Sequence, residues 1–220
     1  MKFFLALSVS IGMLACSSIN CHGQIGPSFV EQLYTSGIFV FGDYTLKNGK
    51  ASHFYCDMRR IMSYPALFAQ LNAAVKHVAQ EIACDCIAGV PYGAVPFATA
   101  CALHLTKPLI MPRKERKNHG LCNTVEGAFE PGNRVLLIEE LMSTGSSIEE
   151  TIALLDQHGL VIEDVIVLLD RQAGGIERLR RAGYRVHALL TLSDVANELK
   201  SLGRITSSEY EQLLTETVRA

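Results

Sequence analysis

The 220-residue chain contains no Gly-x-x-x-x-Gly-Lys-Ser/Thr and no Gly-x-Gly-x-x-Gly opening a helix after a strand, which excludes a Walker loop and a dinucleotide fingerprint. Neither sign of charge dominates. Its 20 Lys and Arg against 22 Asp and Glu leave a net charge of −2. Aromatic residues do not interleave with basic ones, and the one basic cluster, residues 113–117, is too short to track a nucleic-acid backbone, so no nucleic-acid partner is expected. Seven cysteines are an odd count without paired C-x-x-C spacing, so buried reduced thiols are expected rather than a disulfide framework. Cys84 and Cys86 should share one face of a strand, but neither a second pair nor a histidine cluster accompanies them as a metal site would require. Internal repeats, low-complexity tracts and interdomain linkers are also missing. With 49% hydrophobic residues the chain is long enough for one globular domain with a proper core.

Long apolar runs are scarce as well. Residues 1–23 open with Met1-Lys2 and an apolar stretch over 3–15, too short for a comfortable transmembrane helix, so no membrane span is expected. Small residues at 15–18 suit a cleavage site, and Met13-Leu-Ala-Cys16 loosely resembles a lipoprotein box with a bulky Leu14. Three readings stay open: an export signal, a lipoprotein signal, or a misassigned start. The folded domain is expected over residues 28–220.

The most informative segment is Arg134-Val-Leu-Leu-Ile-Glu-Glu-Leu-Met-Ser-Thr-Gly-Ser-Ser147. An apolar strand ends in Glu139 and Glu140, a turn follows, and residues 148–155 read as an amphipathic helix. The turn amides therefore open a helix N-terminus, which offers unpaired N–H groups and the positive dipole end to a phosphate. Thr144, Ser146 and Ser147 add hydroxyls, and Gly145 permits close backbone approach. The two carboxylates suit ribose hydroxyls and hydrated magnesium nearby. The order describes a phosphosugar site, although a strand ending in acids before a capped helix also occurs without a ligand.

Around this segment the periodicity predicts a helix capped by Ser28, then strands over 38–46 and 53–58 joined through Asn48-Gly49 as a small antiparallel hood. A βαβ rhythm follows. Helices are expected over 65–83, after Pro96, from Ser147 and over 176–182, and strands over 86–90, 108–111, at 135, over 165–169 and over 184–190. Near-continuous apolar strands imply a mainly parallel sheet covered on both faces, and residues 207–218 read as a polar helix at its edge. Ligands of such sheets bind beyond the carboxyl ends of the strands, where Pro91-Tyr-Gly-Ala94, the loop from Arg113, the Glu139 turn and Asp170-Arg171 all fall. The loop Arg113-Lys-Glu-Arg-Lys-Asn-His-Gly120 is basic enough for pyrophosphate, with Gly120 and Gly127 as hinges; alone, it also fits a solvated face.

Together these segments resemble the orotate phosphoribosyltransferases over residues 33–199. The family's hood, Phe-Gly-x-Phe-x-Leu-Lys-Ser-Gly then Ser-Pro-x-Tyr-x-Asp, is matched by Phe41-Gly-Asp-Tyr-Thr-Leu-Lys-Asn-Gly49 and Ser52-His-Phe-Tyr-Cys-Asp57. Gly89-Val-Pro-Tyr-Gly-Ala94, the 113–120 loop and Leu169-Asp-Arg-Gln-Ala-Gly-Gly175 match further elements in order. The resemblance implies the type I phosphoribosyltransferase fold, an α/β sheet flanked by helices under a small N-terminal hood. It implies Mg2+-dependent transfer of ribose 5-phosphate from phosphoribosyl pyrophosphate (PRPP) to orotate, in the cytoplasm, for pyrimidine synthesis.

The implied PRPP residues are Lys47, Tyr92, Arg113, Lys114, Lys117, His119, Glu139, Glu140, Leu141, Met142, Ser143, Thr144, Gly145, Ser146 and Ser147. Lys117, Lys114, Glu140 and His119 would carry catalysis, Tyr55, Cys56, Ser143 and Arg171 would hold orotate, and magnesium would bind mainly through PRPP and water. Lys117 would close over the neighbouring subunit's site in a homodimer. Three departures stand out: Glu140 is one methylene longer than the usual Asp, Ser143 replaces threonine, and Gly93 stands where some bacterial relatives carry a lysine. The tail from Thr191 resembles a junction to orotidine decarboxylase, from which a separate decarboxylase is expected. A PRPP-binding regulator, a transferase for another base, or an exported protein of different role are the competing readings.

Overall fold

Val135, Leu136, Leu137 and Ile138 are all buried, and they alternate between two cores: Leu136 and Ile138 pack into one, Val135 and Leu137 into the other. A strand with two apolar faces must be covered on both sides, and each such side chain contributes about 1.5–3 kcal/mol of burial. The computed structural model of the protein describes residues 27–45, 49, 51–114 and 124–218. This strand, β6 (Arg134–Met142), lies inside a six-stranded sheet with β3 (Cys86–Gly89), β4 (Leu109–Pro112), β5 (Val125–Glu126), β7 (Val161–Asp170) and β8 (Arg185–Thr191). The order is β5-β4-β3-β6-β7-β8, parallel except for β5, which runs against β4.

One face is covered by α1 (Pro27–Thr35), α2 (Pro65–Ala79), α3 (Val95–Leu105) and α6 (Leu192–Ser201), whose Phe29, Leu71, Phe97 and Val195 share a core. The other face carries α4 (Ser146–Asp156) and α5 (Gly175–Arg181), which bury Ile148, Ile152, Ile176 and Leu179. The expected hood is the two-stranded antiparallel sheet of β1 (Phe39–Thr45) and β2 (Ala51–Cys56), with Phe39 opposite Cys56 and Phe41 opposite Phe54. A 3-10 helix, Met58–Ser63, leads from it to α2.

Several expectations are corrected. The first helix begins at Pro27, a residue suited to a helix start because its missing N–H needs no partner there. The second strand of the hood stops at Cys56 rather than running to residue 58, and α2 ends at Ala79 instead of 83. The strand carrying the acids does not end in them; it continues to Met142, with Leu141 opposite Leu169 and Met142 opposite Asp170 of β7. Cys84 and Cys86 do not share a face. Cys84 precedes β3 and packs in the core of α2, whereas Cys86 packs against the opposite face. Among the described residues no cluster of metal-ligating side chains exists. The tail from Thr191 begins with α6, absent from the expected elements. Its capping box joins Asp194 N to Thr191 Oγ1 at 3.1 Å and Thr191 N to Asp194 Oδ2 at 3.0 Å. The closing helix appears as expected, as α7 (Ser207–Val218). Among the described residues no helix is long and apolar enough to cross a membrane.

Candidate active site

The carboxyl ends of β3, β6 and β7 lie side by side because these strands are parallel neighbours, and the segments that follow them meet in one cleft. After β6, the chain turns at Ser143, Thr144 and Gly145 into α4. Gly145 has φ +82° as the residue before α4, a conformation costly for any other residue. Ser143 O accepts from Gly175 N at 3.1 Å and Met142 O from Arg171 N at 2.9 Å, so the loop after β7 holds this turn from behind. Thr144, Ser146 and Ser147 are exposed at the helix mouth, with Thr144 Oγ1 2.8 Å from Ser146 Oγ. Met142 is buried and Leu141 packs against the other core, so both present backbone rather than side chain to a ligand.

Glu139 is buried, and Glu140 N donates to its Oε1 at 3.0 Å. Burial, a side-chain hydrogen bond with Glu140 and the charge of Glu140 push the Glu139 carboxyl well above its ordinary range.

Gly89 brings the loop after β3 close to α3: a Cβ there would lie 2.8 Å from the backbone of Ala94 and Val95. The 91–92 peptide is cis, and Tyr92 is half exposed at the cleft. Gly93 faces Glu140 across the cleft floor.

At the end of β7, Asp170 Oδ1 accepts from Gln172 N at 2.9 Å, and burial pushes the Asp170 carboxyl up to about 6. Arg171 reaches the hood, its Cζ 4.8 Å from the centre of the Phe54 ring. The Cys56 thiol is pushed up by burial, against the charge of Arg171. Tyr55, whose ring lies 5.5 Å from that of Tyr44, is exposed on the other side of β2.

Sequence reading passed over Arg59. It stands on the 3-10 helix, 2.9 Å from Asp57 Oδ1 and 3.5 Å from Tyr55 Oη, and feels the charge of Glu140. The signal in the chain was only an arginine two residues past the hood motif.

The 113–124 loop springs from β4 and returns at β5. Arg113 N donates to Thr124 O at 2.9 Å and Arg113 Nη1 lies 3.1 Å from Glu126 Oε1, closing the base of the loop, while Lys114 is exposed. Lys47, Lys117 and His119 lie outside the described residues.

Residues 60–182 match the phosphoribosyl transferase domain family. The chain is 39% identical over 189 residues to the uridine 5'-monophosphate synthase of Bos taurus, covering 84% of this chain and 39% of that protein. It is 33% identical over 168 residues to the orotate phosphoribosyltransferase of Pyrococcus abyssi, covering 76% of this chain and 92% of the relative. The crystal structure of orotate phosphoribosyltransferase from Aeropyrum pernix superposes with a TM-score of 0.71 at 32% identity, over 81% of this chain and 99% of that one. The chain spans about two fifths of the synthase's length and nearly all of the single-domain relatives. On the family match over residues 60–182 and the identity to single-domain relatives covered almost whole, the chain belongs to the orotate phosphoribosyltransferase family of phosphoribosyltransferases.

Proposed function

We propose that the protein transfers ribose 5-phosphate from PRPP to N1 of orotate, giving orotidine 5'-monophosphate and pyrophosphate for pyrimidine synthesis in the cytoplasm. The observation that carries this reading is the meeting of the Glu139–Glu140 turn with Arg171 under the hood. Such a cleft offers phosphate donors, ribose acceptors and a guanidinium for a carboxylate within one site.

As the bond from the anomeric carbon to pyrophosphate breaks, positive charge grows on the sugar and negative charge on the leaving group. The bond to N1 forms on the opposite side. The Ser143–Ser147 turn anchors the 5-phosphate, Glu139 and Glu140 hold the ribose hydroxyls, and Arg171 fixes the orotate carboxylate. Arg113, Lys114, Lys117 and His119 stabilise the departing pyrophosphate, an effect largest in the transition state. In the proposed homodimer Lys117 serves the neighbouring subunit's site and its loop excludes water. Glu139 and Glu140, adjacent carboxylates at the end of β6, would hold the water shell of a Mg2+ ion brought with PRPP. The ion would neutralise pyrophosphate charge.

Loss of orotate absorbance on adding PRPP and Mg2+ tests the reaction. Lys117→Ala should lower kcat by roughly 10²-fold or more and change KM for PRPP only a few-fold. An inert wild type that still binds PRPP would point to a regulator, and equal losses in kcat and PRPP affinity would remove Lys117 from its transition-state role.

A further inference from the structure

Gly93 lies on the turn between β3 and α3, and Glu140 near the end of β6, so the two residues come from neighbouring strands. A Cβ built on Gly93 would fall 1.9 Å from Glu140 Oε1, 2.4 Å from its Cδ and 2.8 Å from Oε2. The Glu140 carboxylate thus occupies the space that any side chain at 93 would need. The φ of Gly93 lies outside the positive range that only glycine tolerates easily, so conformation alone does not demand glycine there. Space does.

We propose that Gly93 is the positioning residue for Glu140: the missing side chain at 93 provides the berth for this longer acid, and the two act as a matched pair in holding the ribose of PRPP. The inference rests on the PRPP reading above. One contact ties the longer acid to the glycine that faces it. An acid with an extra methylene overshoots the place of an aspartate, and glycine removes what it would strike.

The obstruction is also directional. The atoms in the way belong to the free end of a flexible side chain, whereas at Gly89 they are backbone. An alanine at 93 is therefore accommodated by swinging the carboxylate aside, at small cost to folding and large cost to the position of its oxygens. Shortening residue 140 by one methylene draws the carboxylate back by roughly one carbon–carbon bond, ~1.5 Å, which converts the clash into ordinary contact.

The test is a double-mutant cycle on the full chain with wild type, Gly93→Ala, Glu140→Asp and the double variant. Melting temperature, kcat and KM for PRPP are measured in each, with calorimetric titration of PRPP in Mg2+. Gly93→Ala should raise KM and Kd for PRPP about tenfold while its melting temperature stays within about 2 °C of wild type. In the Glu140→Asp background the same substitution should change KM by no more than about twofold. Equal fold-changes in the two backgrounds, with an active wild type, would overturn the pair and leave the reaction standing. Coupling seen in melting temperature but not in PRPP affinity would reduce the contact to packing and also overturn the proposal. A wild type that binds PRPP without turnover would refute the transferase alone, with the cycle then read from Kd. Failure of wild type to bind PRPP would refute both.

Discussion

Replacing Gly175 by alanine tests how the turn after β6 is held. A Cβ at this position would lie 2.5 Å from Ser143 O and 3.0 Å from both Cγ and Sδ of Met142. The backbone at 175 is not in the positive φ range, so the penalty is contact rather than conformation. Reaching ordinary separation requires the Ser143 carbonyl to withdraw by roughly 1 Å. That movement also strains the 3.1 Å hydrogen bond from Gly175 N to Ser143 O. Overpacking of this kind costs about 1–3 kcal/mol and the hydrogen bond about 1 kcal/mol, for a loss near 2–4 kcal/mol. Because Ser143 opens the turn proposed to anchor the 5-phosphate, a displacement of this size should also cut kcat/KM for PRPP by up to ~10²-fold. The neighbouring Gly174 is the control. It has φ +83° and open space where a Cβ would go, so Gly174→Ala should cost only about 1–2 kcal/mol and spare PRPP binding. Urea unfolding gives the stability change and the orotate assay the kinetic one. A Gly175→Ala protein with wild-type stability and wild-type KM would refute the claim that the segment after β7, through Gly175, holds the turn in place.

Two further outcomes follow from the side chains around the sheet. Arg171→Lys should raise KM for orotate about tenfold or more with little change in KM for PRPP, because an ammonium lacks the planar fork and the stacking 4.8 Å above Phe54; equal losses for both substrates, measured by steady-state kinetics, would argue against a base-specific role. Burial raises the Asp164 carboxyl, but the hydrogen bonds from His187 and Arg185, 2.9 Å and 2.6 Å away, outweigh it and hold the group at about 2. A carboxyl lowered in the fold contributes stability above its ordinary value near 3.8 that is lost as pH falls from about 4 to about 2, here about 2 kcal/mol at neutral pH. Asp164→Asn should remove that contribution and flatten the acid limb of the urea midpoint against pH; an unchanged limb would show that other carboxylates set it.

The strand, turn and helix around the paired acids were legible before the structure because their parts are contiguous: apolar strand, acids, hydroxyls, glycine and amphipathic helix follow within one short segment. The hood and the βαβ rhythm were legible for the same reason, since residue alternation and turn chemistry are local. Element ends were less so. The acids looked like a strand end because polar residues break an apolar run, yet the ladder with β7 carries β6 to Met142. α6 carries only a short local signal, the Thr191 and Asp194 capping box, and its helical character is fixed by the apolar face it buries, Leu192, Val195, Ala196 and Leu199.

By itself, then, the chain determined the parallel sheet, the hood and the turn that follows the paired acids, because periodicity of burial and the chirality of connections act over neighbouring residues. Only the tertiary structure decided which distant groups touch. It set the Arg171 guanidinium on Phe54, the Gly175 backbone against Ser143, Arg59 within the field of Glu140, and the Glu140 carboxylate over Gly93. It also separated Cys84 and Cys86, two residues apart in sequence, into opposite cores. Close packing creates these pairings, and spacing along the chain does not encode them.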